Sequence, residues 1–173
     1  AMPELLRMEF WQTQDQRPDR TESWTNALAY RSTGPDKRLV TGGEDHFLSH
    51  LSAAFARSNQ ADLAVSFVKT SGLRLLLPDL QGMAEAGDTH RVRVLTSDYL
   101  DITDPEALRL LLLLQESGAE VRVYATQNQD SFHLKAYVFA RFEAGQLESG
   151  TAFIGSSNIS SKALRDWLEW NYR

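Results

Sequence analysis

Two basic side chains stand two residues apart inside an otherwise apolar run: His133 and Lys135 in Phe-His-Leu-Lys-Ala-Tyr-Val-Phe, residues 132–139. Further on comes Gly155-Ser156-Ser157-Asn158. Together these types suit an oxyanion with several equatorial oxygens. A lysine supplies a point charge, an asparagine an amide donor, a serine a hydroxyl donor, and a histidine a nucleophile or an acid. Each motif also has a plainer reading. His133 and Lys135 could be the solvent side of an edge strand, and Ser157, Asn158 or Ser160 could cap a helix.

The surrounding elements must position these groups. Residues 133–141 read as a strand, with His133, Lys135 and Tyr137 on one face and Phe132, Leu134, Ala136 and Val138 turned into apolar packing. Thr151–Ile154 reads as its hairpin partner, reached through Phe-Glu-Ala-Gly-Gln-Leu-Glu-Ser-Gly. Gly155 ends that strand where a close backbone approach is expected. A short helix (160–167) and a last strand (169–172) follow. Upstream, the pattern predicts a helix after Gly42-Gly43, a strand over 61–68, a helix over 71–86 bent at Pro78, and a strand over 91–97. A capped helix over 103–118 and a strand over 119–125 complete it. Alternating helices and strands predict an α/β fold, a mixed and mostly parallel sheet with helices on both faces. Residues 1–38 read as an irregular lead-in and 39–173 as the folded domain.

Composition narrows the functions. The chain has 173 residues, 42% hydrophobic and 24% charged, the balance of one globular domain with a core. It has no cysteine, which excludes disulfides, thiolate metal sites and a cysteine nucleophile. His46, His50, His90 and His133 are too scattered to suggest a metal site, and Asp98, Asp101 and Asp104 are explained by helix capping. No metal or other cofactor is expected. Gly42-Gly43 lacks the Lys-Ser/Thr of a phosphate loop. No apolar run is long enough to cross a bilayer and no signal-peptide layout is visible, so no membrane and a cytoplasmic location are expected. Net charge is −5, which argues against a surface that coats nucleic acid but not against one basic cleft. Both ends read as parts of something longer.

His133-x-Lys135 followed by Gly155-Ser156-Ser157-Asn158 resembles the signature of the phospholipase D superfamily, the HKD motif. Two features depart from it: the asparagine comes one position early, and the superfamily aspartate falls at Ala140. The wider match, through Leu-Glu-Trp-Asn at 168–171, is similar to the phospholipase-D-like domain at the N-terminus of bacterial superfamily-two DNA helicases. The resemblance covers about Leu39 to the end.

What it implies is a phosphodiester-cleaving nuclease domain acting on DNA, accessory to a helicase or restriction-type enzyme and fused to a helicase region. His133 would form a phosphohistidine, and Lys135, Ser156 and Asn158 would hold the phosphate oxygens. Glu169 would orient a histidine through its far ring nitrogen. Only one copy of the motif is present, so the resemblance implies a homodimer that brings two copies face to face. A silent DNA-binding or dimerisation module on the same fold is the alternative. Lipid hydrolysis is a third reading, disfavoured by the single motif and the lack of an amphipathic basic helix.

Overall fold

The computed structural model describes residues 38–126 and 131–173; the expected lead-in lies outside them save for Arg38. Apolar residues alternate along β2 (Gln60–Val65), which buries Ala61, Leu63 and Val65, and along β3 (Arg91–Ser97), which buries Val92 and Val94. That period of two makes a strand with one dry face. Helix α1 (Phe47–Phe55) presents Phe47, Leu51, Ala54 and Phe55 on a single stripe, and α2 (Thr70–Ala84) presents Leu73, Leu76, Leu80 and Met83. Pro78 does not break α2, because it lies on the exposed side, where water can satisfy the carbonyl it leaves unpaired. Helix α3 (Pro105–Glu116) starts with Pro105 as expected and buries Ala107, Leu111 and Leu114.

With β1 (Leu39–Gly42), β4 (Glu120–Tyr124), β5 (Lys135–Glu143), β6 (Gln146–Gly155) and β7 (Leu168–Tyr172), the strands form one sheet in the order β1-β7-β6-β5-β2-β3-β4. The mixed α/β sheet is as expected, but parallel pairing is confined to β2, β3 and β4. The helices α2 and α3 are the crossovers that make it parallel there. The connection from β4 to β5 is only about ten residues (125–134), short for a parallel crossover, and β5 runs antiparallel beside β2. β5 and β6 then form a hairpin through Ala144 and Gly145, both at positive φ, and β7 and β1 extend the antiparallel edge.

Among the described residues the helices pack into one core on one face of the sheet. Strand order moves steadily from β2 to β4, so two right-handed crossovers fall on the same side. Among the described residues the opposite face is open: Val138 is 40% and Ile154 64% exposed. The two faces of β5 are therefore the reverse of the expectation. Tyr137 and Phe139 enter the core, where Phe47 meets Tyr137 edge to face at 5.2 Å, while Val138 faces outward. The expected helix over 160–167 is a single π-helical turn, Lys162–Asp166.

Candidate active site

Register brings the motifs together. Val65 pairs with Lys135 across β2 and β5, Ala136 pairs with Ile154 across β5 and β6, and Gly155 pairs with Asn171 across β6 and β7. The carboxyl end of β2, the amino end of β5 and the carboxyl end of β6 thus lie side by side. His133 precedes β5 rather than lying in it, and its ring is exposed. Lys135, the first residue of the strand, is half-buried on the helix side, where the core ends.

The Lys135 Nζ donates to Ser66 Oγ and to the His133 carbonyl, both at 2.9 Å. An ammonium has three protons, so one remains for an anion. Burial pushes the Lys135 pKa below the usual lysine range, and the nearby Glu169 charge opposes that shift. A partly desolvated cation held only by neutral oxygens is a favourable place for an incoming oxyanion.

Gly155 permits the next contact. A Cβ there would stand 1.9 Å from the Trp170 carbonyl, so only glycine lets β6 and β7 close. Beyond it, Ser156 N donates to the Trp170 carbonyl at 2.9 Å, and Ser156 Oγ accepts from Trp170 N at 3.0 Å while donating to Glu169 Oε2. Asn158 is buried; its Oδ1 accepts from Phe67 N at 3.2 Å, beside the Ser66 that holds Lys135. Among the described residues its Nδ2 makes no hydrogen bond. Ser157 is scaffold: its carbonyl accepts from the buried Tyr137 hydroxyl at 3.0 Å and its Oγ from Asn171 Nδ2 at 2.8 Å. Ser156, Ser157 and Asn158 thus bond strands and loops, and of the expected caps only Ser160 acts as one, its Oγ accepting from Ala163 N at 3.1 Å.

All five residues singled out from the sequence therefore lie around one end of the sheet. One expected contact is missing: within the chain the His133 ring makes no hydrogen bond to Glu169, whose carboxylate turns to Ser156. Sequence reasoning missed Ser66 and Tyr99, whose ring meets the His133 ring at 4.8 Å. A serine closing the apolar run 61–65 was a weak signal for the first; nothing local marked the second. The other histidines serve elsewhere: His46 Nδ1 lies 2.5 Å from the Arg165 carbonyl, and His50 Nε2 lies 2.7 Å from Asp45 Oδ1. Asp104 bonds Lys69 Nζ at 3.0 Å and Thr70 N at 2.9 Å, tying the start of α3 to the first turn of α2.

An α/β sheet carrying a His-x-Lys pair beside a Gly-Ser-Ser-Asn turn is the layout of a phospholipase-D-like domain. Residues 61–173 match the family described as "Cardiolipin synthase, PLD-like domain", and the chain belongs to that family. Among solved structures it is similar to polyphosphate kinase from Porphyromonas gingivalis, at 16% identity and a TM-score of 0.54, over 83% of this chain and 25% of that one. It is also similar to TrmBL2, described as an archaeal chromatin protein, at 13% identity and a TM-score of 0.46, over 87% of this chain and 51% of that one. The chain thus spans a quarter and about half of these proteins' lengths, and at 16% identity the likeness to the first concerns the fold alone. No curated protein matches the chain significantly. Among the described residues no helix is long and apolar enough to cross a membrane.

Proposed function

We propose that the domain is a phosphodiester-hydrolysing nuclease acting on DNA through a phosphohistidine, working as a homodimer and attached to a helicase or restriction-type enzyme. The observation that carries this is the convergence on one sheet end of His133, Lys135, Ser156, Asn158 and Glu169, with Lys135 bonded to the backbone of His133 itself.

In the reaction, a His133 ring nitrogen attacks phosphorus and the bond to the leaving oxygen breaks. That oxygen takes a proton from the partner subunit's His133. Water then attacks the phosphohistidine, the P–N bond breaks, and the water's proton returns to the partner's His133. Lys135 and Asn158 Nδ2 hold the non-bridging oxygens as charge builds, and Ser156 joins them by turning its one hydroxyl proton from Glu169 to the phosphate. The unmet Glu169–His133 contact favours the dimer: Glu169 of the partner subunit would bond the far nitrogen of the His133 ring, fixing its tautomer.

A second reading draws on the family's description, which names a cardiolipin synthase. The same groups could hold a lipid headgroup phosphate. The silent-module reading predicts binding without cleavage.

The test is a cleavage assay in chelator on a DNA oligonucleotide and on bis(p-nitrophenyl) phosphate, wild type beside His133→Ala, with cardiolipin-containing vesicles as a further arm. DNA cleavage lost in His133→Ala supports the nuclease. Equal activity in His133→Ala removes the histidine from the mechanism. Turnover of vesicles alone favours the lipid reading, and binding without turnover the silent module.

A further inference from the structure

The exit of β3 lays an apolar rim beside His133. The Tyr99 ring meets the imidazole at 4.8 Å between centroids and 67° between planes. Tyr99 belongs to a 3-10 turn, Tyr99–Asp101, in which Leu100 (φ 54, ψ 23) and Asp101 (φ 53) both adopt left-handed backbone. Side chains other than glycine avoid that region, and its occupants cluster where ligands are gripped. Leu100 is 70% exposed. On the other flank Tyr124 stacks on Phe132, the neighbour of His133, at 5.4 Å and 26°.

The turn is fastened to the site. Asp98 accepts from Thr126 N and Oγ1, both at 2.7 Å. Tyr99 N donates to Ser97 Oγ at 3.3 Å, which donates at 2.6 Å to the carbonyl of Ser66, the residue whose hydroxyl receives Lys135.

Positive charge around this rim is sparse, and Asp98, Asp101 and Asp104 make it acidic. Residues 97–104 (Ser-Asp-Tyr-Leu-Asp-Ile-Thr-Asp) and 155–161 (Gly-Ser-Ser-Asn-Ile-Ser-Ser) contain no Lys or Arg. Lys69, at the start of α2, is paired with Asp104 at 3.0 Å, and Lys135 is committed to the phosphate. Duplex affinity rests on several cations displacing counterions, whereas a single strand can be held by stacking its bases on aromatic rings.

Resting on the nuclease reading above, we propose that the substrate is single-stranded and that the base next to the scissile phosphate packs against Tyr99 and Leu100. The left-handed backbone then has a use: it turns an apolar side chain out of the core and toward the strand.

The experiment compares a single-stranded oligonucleotide, the same oligonucleotide with abasic residues flanking the scissile phosphate, and the duplex. KM is read for wild type. The dissociation constant is read by fluorescence anisotropy on a His133→Asn background, which keeps the binding arm independent of catalysis. The expected result is a roughly tenfold preference for the intact single strand over either alternative, about the worth of one stacked base. Tyr99→Phe should retain that preference. Tyr99→Ala should erase most of it, as should Leu100→Gly, which suits the left-handed backbone and so spares the fold. Equal or better use of the duplex overturns the proposal, as does full base discrimination in Tyr99→Ala. If wild type cleaves no diester, the nuclease reading falls while the binding arm still decides the base subsite.

Discussion

Lys135 donates to the carbonyl of His133 at 2.9 Å, so the cation fixes the backbone of the residue two before it. Its second bond, to Ser66 Oγ, anchors that pair to the end of β2. The cation and the proposed nucleophile are therefore placed by one side chain, and its removal should disturb both.

Lys135→Met should lower kcat by about a hundredfold or more with a smaller change in KM, because the ammonium acts mainly on charge that builds in the transition state. Its folded pKa lies below the unfolded value, so the unfolded state binds the proton more tightly. Wild-type stability should therefore gain from this group as pH rises through the lowered folded pKa toward 10.5. Denaturant melts across that window should show the gain absent in Lys135→Met. A parallel pH profile in the two proteins would remove Lys135 as its source.

Gly155→Ala should destabilise by about 3 kcal/mol, because the new methyl meets the Trp170 carbonyl and the Asn171 Cα, both backbone. Urea unfolding reads the loss. Gly145→Ala is the comparison: nothing lies within 4 Å of its Cβ, and only the positive φ of 78° resists it.

Asp104 bonds Thr70 N and Lys69, and the backbone hydrogen bond is the main cause that holds its carboxyl below the usual aspartate range. A depressed folded pKa stabilises above the unfolded value of 3.8 and stops doing so as pH falls through the folded pKa. Asp104→Ala should cost about 1 kcal/mol at neutral pH. Melts should show the gap to wild type closing as the pH is lowered through that range; a constant gap would show that the charge is not involved.

Tyr137 is fully buried, and that burial, helped by the Glu169 charge, pushes its hydroxyl well above the usual tyrosine range. In alkaline spectrophotometric titration it should stay protonated until the protein unfolds. Tyr137→Phe should cost about 1 kcal/mol, since the Ser157 carbonyl loses its donor. Early ionisation of every tyrosine in folded protein would contradict the placement.

Local pattern carried much of this fold. The alternation in β2 and β3, the apolar stripes of α1 and α2, and Pro105 opening α3 all act over a few residues, and hydrophobic period and the fixed φ of proline report them; the expected side-chain cap of α3 is absent, because Asp104 turns to Thr70 and Lys69 instead. The candidate site residues stood out as well, because His133-x-Lys135 and Gly155-Ser156-Ser157-Asn158 are short and chemically unusual. Which face of β5 turned inward was not. Tyr137 and Val138 are both apolar enough for either side, and only the position of α1 decides between them.

By itself, then, the amino-acid order determined the inventory: which elements form, and which side chains could handle a phosphate. The tertiary structure alone decided that Ser66 and Tyr99 lie beside them and that Glu169 turns to Ser156 instead of His133. The physical reason is range. Propensity and periodicity act between neighbours, whereas the partners of Lys135 and Ser156 come from other strands, and strand register is set by the whole sheet.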